Sequence, residues 1–215
     1  MRDPIHIPAR STPTALVVWL HGLGASGDDF VPIVPMMQLP HVHWVFPHAP
    51  IQPVTINGGM AMPSWYDIKH MTPGPGREDT DQLRDSAKHI DALIQRTLAR
   101  HNIPASRVVI AGFSQGGAVA MEMLTHGPRT FAGGVILSSY WATSDSDPTD
   151  TNASTPVFFG HGTHDPVVPH ARGRAAYEAL LAAERPVTFS DWPMAHEVCV
   201  PELQDIAKAL GTWLP

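Results

Sequence analysis

One serine stands between two glycines where an apolar run gives way to a helical pattern, in the segment from Val108 to Leu124. The pentapeptide GFSQG at 112–116 matches G-x-S-x-G, which between a strand and a helix exposes a serine hydroxyl on a sharp turn. Side chains at positions 112 and 116 would collide with such a turn, so glycine is needed at both. Ser114 is therefore a candidate nucleophile.

Two other roles for this serine need to be weighed. Ser114 also stands where a helix N-cap would be, with the glycines serving packing. A phosphate-binding loop is not supported, because no lysine follows in the P-loop pattern and G-x-G-x-x-G is absent. The residues around position 114 do not distinguish a nucleophilic serine from a helix N-cap serine. The distinction depends on other residues of the chain.

A serine hydroxyl is a weak nucleophile near neutral pH, so it needs a base in contact and an acid that orients the base. In the G-x-S-x-G setting the order along the chain is Ser, then Asp or Glu, then His. Asp165 lies just after the apolar run TPVFFGHG, and His196 lies on the loop after PVTFSDW. Because the carboxyl ends of parallel strands meet at one edge of a sheet, we predict a triad of Ser114, Asp165 and His196.

Other acidic and imidazole groups fit this arrangement less well. Asp191 is too close in sequence to His196 to approach it from another strand, and His170 is expected to open a helix. The remaining candidates for the acid are Asp145, Asp147 and Asp150, which lie in a polar loop expected to be exposed to solvent.

Acyl transfer also requires two N–H groups that bind the developing oxyanion. The amide after the serine, that of Gln115, supplies the first. The run ALVVWL is followed by HGLG at 21–24, whose glycines let the backbone turn its amides toward the serine. We assign the second N–H to Leu23, with an ordinary glycine-rich turn as the alternative interpretation.

These residues must be positioned by alternating strands and helices. Most of the predicted strands are apolar throughout, which is typical of strands covered on both faces. They cover residues 15–20, 42–47, 107–113, 133–139, 155–162 and 186–192. Helical patterns occupy 77–102, 115–127, 171–184 and 202–214. The alternation predicts an α/β fold with a mainly parallel central sheet and helices on both faces.

The connections between these elements suggest an open site. Only about sixteen residues separate Ser139 from Pro156, so no cap domain is expected. The segment 47–77 is rich in Pro and Gly without a clear period; such a loop is usually functional, and whether it acts as a lid is left open. An open apolar groove suits short- or medium-chain acyl groups. Candidates for its wall are Leu23, Trp65, Trp141 and Val168, the two tryptophans being equally well explained as core anchors.

Composition narrows the class of protein. With 215 residues, 43% of them hydrophobic, we expect one domain over 1–215. A net charge of −6 without a Lys/Arg cluster argues against nucleic-acid binding. ALVVWL is too short to span a bilayer, and no basic segment with a small-residue cleavage site precedes it, so we expect neither a signal peptide nor a transmembrane helix. A single cysteine, Cys199, fits a reducing compartment, so we expect a cytoplasmic protein without stable membrane insertion.

Two other functional classes fit the sequence less well. A zinc enzyme would use the histidines and aspartate of HGTHD at 161–165, or His41, His43 and His48. Neither set has the helical H-E-x-x-H spacing, so no metal is expected. A ligand receptor on a hydrolase scaffold is the non-enzymatic alternative, and the intact triad argues against it.

Five separated blocks, which cover most of the chain, together resemble a known family. They are HGLGASGDDF, FPHAPIQPVTINGGMAMPSWYDI, AGFSQGGAVAM, GHGTHDPVVP and MAHEVC. In this order they resemble the small α/β-hydrolases of the phospholipase/carboxylesterase group, which includes bacterial carboxylesterases and eukaryotic acyl-protein thioesterases. The tetrapeptide HEVC is more similar to the bacterial esterases.

The resemblance implies hydrolysis of small carboxylic ester or thioester substrates without a cofactor, by the triad and oxyanion amides already assigned. Carboxylesterase activity is the first expectation, and acyl-protein thioesterase or lysophospholipase activity is the alternative. Because some members are dimers, the resemblance also allows a homodimer.

Overall fold

A computed structural model describes residues 2–72, 74 and 76–215. Within them the chain forms nine strands and five α-helices. The strands are β1 (Ile5–Ile7), β2 (Ala15–Leu20), β3 (Val42–Phe46), β4 (Ile51–Val54), β5 (Met60–Pro63), β6 (Val108–Phe113), β7 (Gly133–Leu137), β8 (Val157–Gly162) and β9 (Val187–Trp192). The helices are α1 (Val34–Met37), α2 (Thr80–His101), α3 (Gln115–His126), α4 (His170–Ala182) and α5 (Val200–Trp213).

Seven strands form the central sheet, in the order β1-β3-β2-β6-β7-β8-β9. All neighbours in it are parallel except β1, which pairs antiparallel with β3 at one edge. The six predicted apolar runs therefore all form strands, each ending within two residues of its predicted bounds, and the mainly parallel fold is confirmed. The sequence prediction missed β1, because three residues at an edge give too short a pattern.

Two hydrophobic cores lie on opposite faces of the sheet. Alternate residues of β2 are divided between them, with Leu16 facing one core and Val17 the other, and every residue of β2 is buried. Helices α2, α3 and α4 contribute to the first core, and α5 contributes to the second. This burial on both faces explains why the strands are apolar throughout. Within the described part of the chain, no helix is long and apolar enough to cross a bilayer.

The segment predicted as an irregular loop, 47–77, contains regular structure. Strands β4 and β5 form an antiparallel hairpin, with Ile51 opposite Pro63. A strand is predicted from alternating apolar and polar residues. This pattern is missing here, because both strands contain a proline and many side chains of the hairpin are exposed. The hairpin also contacts the loop after β2, because the Gly24 N–H donates to the Pro63 carbonyl at 2.8 Å. Residues 73 and 75 lie outside the described residues.

The connection between β7 and β8 is short, as predicted. Residues 138–156 contain a single three-residue 3₁₀ helix, Asp150–Asn152, and no cap helix. The carboxyl ends of β2, β6, β8 and β9 therefore open at one edge of the sheet without a cap over them. The candidate residues of the sequence follow these four strand ends.

A carboxyl group is buried beneath this edge, in the first turn of α5. Glu202 is fully buried and neither of its oxygens has a hydrogen-bond partner. Burial raises the pKa of Glu202 from 4.5 to about 8, although the nearby Cys199 backbone N–H acts in the opposite direction. The folded protein therefore holds a neutral carboxylic acid at pH values where the unfolded chain carries a carboxylate.

The free energy of unfolding should decrease as the pH rises from about 4.5 to about 8, because the unfolded chain releases this proton before the folded protein does. Replacing Glu202 by Gln removes that contribution, at about 1.4 kcal/mol per unit of pKa difference. In urea unfolding, the free energy of unfolding of wild type minus that of Glu202→Gln should be smaller at about pH 8.5 than at about pH 5, or should change sign. Glu178→Gln, on the exposed face of α4, should give a constant difference. Equal pH dependence in wild type and Glu202→Gln would contradict the assignment.

Candidate active site

Ser114 lies on a sharp turn between β6 and α3, as the sequence predicts. Its backbone has φ of 54° and ψ of −119°, a conformation that residues with a side chain rarely adopt. A methyl group on Gly116 would lie 2.5 Å from the carbonyl oxygens of both Leu20 and His21, and one on Gly112 would overlap the Gly116 carbonyl. The two glycines are therefore required by close backbone packing.

The end of β7 holds the Ser114 backbone through two hydrogen bonds. Its N–H donates to the Leu137 carbonyl at 2.9 Å, and its carbonyl accepts from Ser139 Oγ at 2.6 Å. Ser114 is the first residue before α3, yet its side chain forms no capping hydrogen bond. The N-cap interpretation therefore does not account for this serine, whose hydroxyl remains available for other contacts.

Asp165 and His196, from the loops after β8 and β9, meet directly. The His196 Nδ1–H donates to Asp165 Oδ2 at 2.7 Å. The other carboxylate oxygen, Oδ1, accepts the N–H groups of Val167 at 2.8 Å and Val168 at 2.9 Å. With four lone-pair directions largely satisfied and the side chain buried, the carboxylate is fixed in orientation.

Ser114 and His196 line the same cavity, whose volume is about 410 Å³. The imidazole also packs against Phe113, with ring centroids 4.7 Å apart. The hydrogen bond of the imidazole goes to Asp165 and not to Ser114. Contacts between a nucleophile and its base often shorten only when substrate is bound. The structure thus places Ser114 and His196 at one cavity and Asp165 in contact with His196, so that one of the two expected hydrogen bonds is formed.

The two amides predicted to bind an oxyanion flank this serine. A methyl group on Gly22 would lie 3.4 Å from Ser114 Cβ, so the loop after β2 passes directly beside the nucleophile. Leu23 follows in that loop and lines the cavity, and Gln115 opens α3. Neither the Leu23 nor the Gln115 N–H donates to a backbone carbonyl among the described residues. Both remain able to bind a ligand oxygen.

Buried side chains fix the loop that carries Leu23. His21 accepts the Ala49 N–H at Nε2 (3.0 Å) and donates from Nδ1 to the Gly22 carbonyl (2.7 Å). Burial lowers the pKa of His21, so the ring is neutral and its tautomer is set by these two partners. Trp65 Nε1 donates to the His21 carbonyl at 2.8 Å. These contacts of His21 were not predicted from the sequence, although its position in HGLG was a signal.

The Gln115 side chain ties the nucleophile turn to the segment before α2. Its Oε1 accepts the Trp65 N–H at 2.8 Å, and its Nε2 donates to the Tyr66 carbonyl at 2.6 Å and to Ser64 Oγ at 3.0 Å. One residue thus offers its backbone N–H at the site while its amide group holds a neighbouring loop. The periodic pattern of the sequence gave no indication of this second role.

Of the four residues predicted to form an apolar wall, the structure places only Leu23 in the cavity. Trp65 is 1% exposed and belongs to the core, which favours the core-anchor alternative. Trp141 lies at a separate cavity beside Arg172. Val168 is buried, with its backbone engaged in the Asp165 turn.

Other apolar residues line the cavity instead. They come from the 3₁₀ segment after β2, from the end of β6 and from the loops that carry the predicted acid and base. These residues are Phe30, Ile33, Phe113, Val167 and Val198, with the exposed carboxylates of Asp29 and Glu197 at the same cavity. Val167, which lines the cavity, is the chain neighbour of the predicted Val168, which does not line it.

The histidines considered as zinc ligands have other partners. His48 Nδ1 accepts the Gly27 N–H at 3.2 Å, and His41 Nε2 donates to the Leu214 carbonyl at 2.8 Å. His43 packs between His6 and His101. Among the residues that the structure describes, no group of three or more His, Cys, Asp or Glu side chains is placed to hold a metal ion.

Comparison with known proteins gives a consistent result over the whole chain. A family model described as Phospholipase/Carboxylesterase matches residues 3–214. The chain is 35% identical over 231 residues to a protein named acyl-protein thioesterase 1 from Cryptococcus neoformans, covering 98% of this chain and 95% of that protein.

Solved structures agree with the fold. Arabidopsis thaliana SOBER1 superposes with a TM-score of 0.84 at 32% identity, covering 94% of this chain and 99% of that chain. Zea mays acyl-protein thioesterase 2 superposes with a TM-score of 0.86 at 25% identity, covering 99% of both chains.

Gly116→Ala tests the close packing at the nucleophile turn. The added methyl has no space beside two backbone carbonyls, so we expect a loss of about 1–3 kcal/mol in unfolding free energy and a loss of esterase activity. Gly211→Ala in α5 is the matched control. A methyl there meets no atom within 4 Å, so this variant should be slightly stabilised and fully active. Urea unfolding and an ester assay on both variants check this, and a Gly116→Ala protein with wild-type stability would contradict it.

Proposed function

The chain belongs to the phospholipase/carboxylesterase family of α/β-hydrolases, and from that premise we propose that it cleaves carboxylic esters through an acyl-enzyme on Ser114. It is a hydrolase of the carboxylesterase and acyl-protein thioesterase type.

One observation carries the proposal. Ser114 and His196 line one cavity. Asp165 accepts a hydrogen bond from Nδ1 of His196, which is not the ring nitrogen expected to accept the serine proton. Because the Asp165 carboxylate holds the proton on Nδ1, the Nε2 lone pair of His196 is free to accept a proton. The arrangement is that of a nucleophile with an oriented general base.

The first half of the reaction forms the acyl-enzyme. Ser114 Oγ attacks the substrate carbonyl carbon while His196 Nε2 accepts the hydroxyl proton. The carbonyl oxygen becomes an oxyanion, which the N–H groups of Leu23 and Gln115 bind. When the intermediate collapses, the bond to the leaving group breaks and the imidazolium returns its proton to the departing alcohol.

The second half releases the acid. Water attacks the acyl carbon, His196 accepts the water proton, and the same two amides bind the second oxyanion. Collapse of this intermediate breaks the bond to Ser114 Oγ, which is reprotonated by His196. No cofactor enters either half.

The cavity favours short- or medium-chain acyl groups. Its volume of about 410 Å³ and its apolar lining fit a small aliphatic chain. Because no cap helix lies in the 138–156 connection, longer chains would extend into water and gain little further binding energy.

Thioesters are the second candidate substrate. The relatives at about 35% identity carry the name acyl-protein thioesterase, whereas the HEVC tetrapeptide is more similar to bacterial esterases. The proposed chemistry accepts both, since only the leaving atom differs between an ester and a thioester.

Ser114→Ala should abolish hydrolysis of p-nitrophenyl butyrate and labelling by a fluorophosphonate probe, because the attacking oxygen is gone. Asp165→Asn should lower kcat by up to about 10⁴-fold while probe labelling persists slowly, because the imidazole loses its orientation and tautomer. Ser144→Ala, at an exposed position of the loop after β7, should match wild type. More than a trace of hydrolysis in purified Ser114→Ala would refute the proposal.

The acyl preference is tested by a p-nitrophenyl ester series from acetate to palmitate, with butyryl and octanoyl thioesters in parallel. We expect kcat/KM to rise to a short or medium chain and then level off or fall, because the cavity fills. Val167→Trp, which enlarges a cavity-lining residue, should shift the optimum to shorter chains. A maximum at palmitate that Val167→Trp leaves unchanged would contradict the proposed cavity.

A further inference from the structure

His161 lies behind the predicted acid, on the side away from the cavity. It occupies the end of β8 and is 1% exposed. Its Nε2 is 2.9 Å from the Val168 carbonyl and 3.5 Å from Asp165 Oδ2. His161 is not among the residues that line the cavity, so it has no direct contact with a substrate bound there.

The protonation state of His161 follows from its surroundings. Both groups near Nε2 accept hydrogen bonds, so the ring proton must be on Nε2. Burial, the largest effect, lowers the pKa of His161, and His170 and His196 lower it further, while the Val168 carbonyl and Asp165 act in the opposite direction. The side chain is therefore a neutral donor directed at the Asp165 turn.

Hydrogen bonds to both backbone groups of Val168, its N–H and its carbonyl, fix the turn at 165–168. The Val168 N–H donates to Asp165 Oδ1, and the Val168 carbonyl accepts from His161. Asp165 Oδ1 is occupied by the backbone, which leaves Oδ2 for His196. The position of Val168 thus couples the His161 N–H to the direction in which Asp165 Oδ2 points.

We propose that His161 is a positioning residue: its Nε2–H holds the 165–168 turn so that Asp165 Oδ2 remains directed at His196. This inference rests on the proposed function, in which His196 is the general base. His161 acts through the acid and touches no reacting atom.

If His161 served only to fill space, its ring shape would matter and its Nε2–H would not. The ring is tightly packed, since a methyl group on Gly173 of α4 would overlap His161 Nδ1, and His170 packs edge-on against it with ring centroids 5.5 Å apart. Two amide side chains separate the roles. Glutamine places an N–H near the position of Nε2, whereas asparagine reaches only as far as Nδ1.

The experiment compares His161→Gln with His161→Asn, using p-nitrophenyl butyrate and urea unfolding. We expect His161→Asn to lower kcat about tenfold, the effect of one hydrogen bond to a charged or oriented group, with KM unchanged. His161→Gln should restore most of kcat. The acid limb of the kcat/KM profile should move to lower pH in His161→Asn, because a misdirected Asp165 stabilises the imidazolium less. His164→Asn, an exposed neighbour in the same loop, is the matched control and should behave as wild type.

Three outcomes overturn the inference. They are wild-type kcat and pH profile in His161→Asn, equal kcat losses in the Asn and Gln variants that follow their losses of unfolding free energy, and failure of both variants to fold. Each would make His161 a residue of the fold alone. Failure of the proposed function would appear separately, as hydrolysis by Ser114→Ala, whatever the His161 variants do.

Discussion

The backbone conformation of Ser114 is the constraint on which the rest of the site depends. A φ of 54° at a residue with a side chain is unfavourable, by about 1–3 kcal/mol. It persists because Gly116 packs against the backbone of Leu20 and His21 at the end of β2, and Gly112 packs against the backbone of Gly116. Hydrogen bonds from Ser114 to Leu137 and from Ser139 to Ser114 hold the turn from β7. Packing against the central sheet therefore holds Ser114 in the strained backbone conformation that places it at the cavity.

A set of buried polar contacts then fixes the loops around that turn. His21 and Trp65 hold the loop that carries Leu23, and Gln115 holds the segment at 64–66. Asp165 receives two backbone N–H groups before it receives His196. Each of these polar groups is buried and paired, so each loop has one favoured position. Loops without regular structure can in this way present atoms as precisely as a strand does.

The expected and observed wall of the cavity differ in an informative way. Trp65 and Val168 are apolar residues next to the predicted site, and both are buried. Their apolar character serves the core and the Asp165 turn, whereas Val167 and Phe113 face the cavity. An apolar residue type indicates burial, but it does not indicate which surface buries it. The direction of a side chain in a turn depends on backbone angles that neighbouring elements impose.

Six strands, four helices, the mainly parallel sheet and the strand ends from which the candidate triad comes were all predictable from the sequence alone. These follow from local patterns: apolar runs, helical periodicity and the glycines around Ser114, each legible within a few residues. The β4–β5 hairpin, the buried contacts of His21, Gln115 and His161, and the residues of the cavity wall became known from the three-dimensional structure. The hairpin is local, but its prolines and exposed side chains leave no alternating pattern. The contact of Gln115 with Trp65 joins residues that are distant in sequence, and the cavity wall depends on which side of a turn a residue faces. No local pattern encodes these last two features.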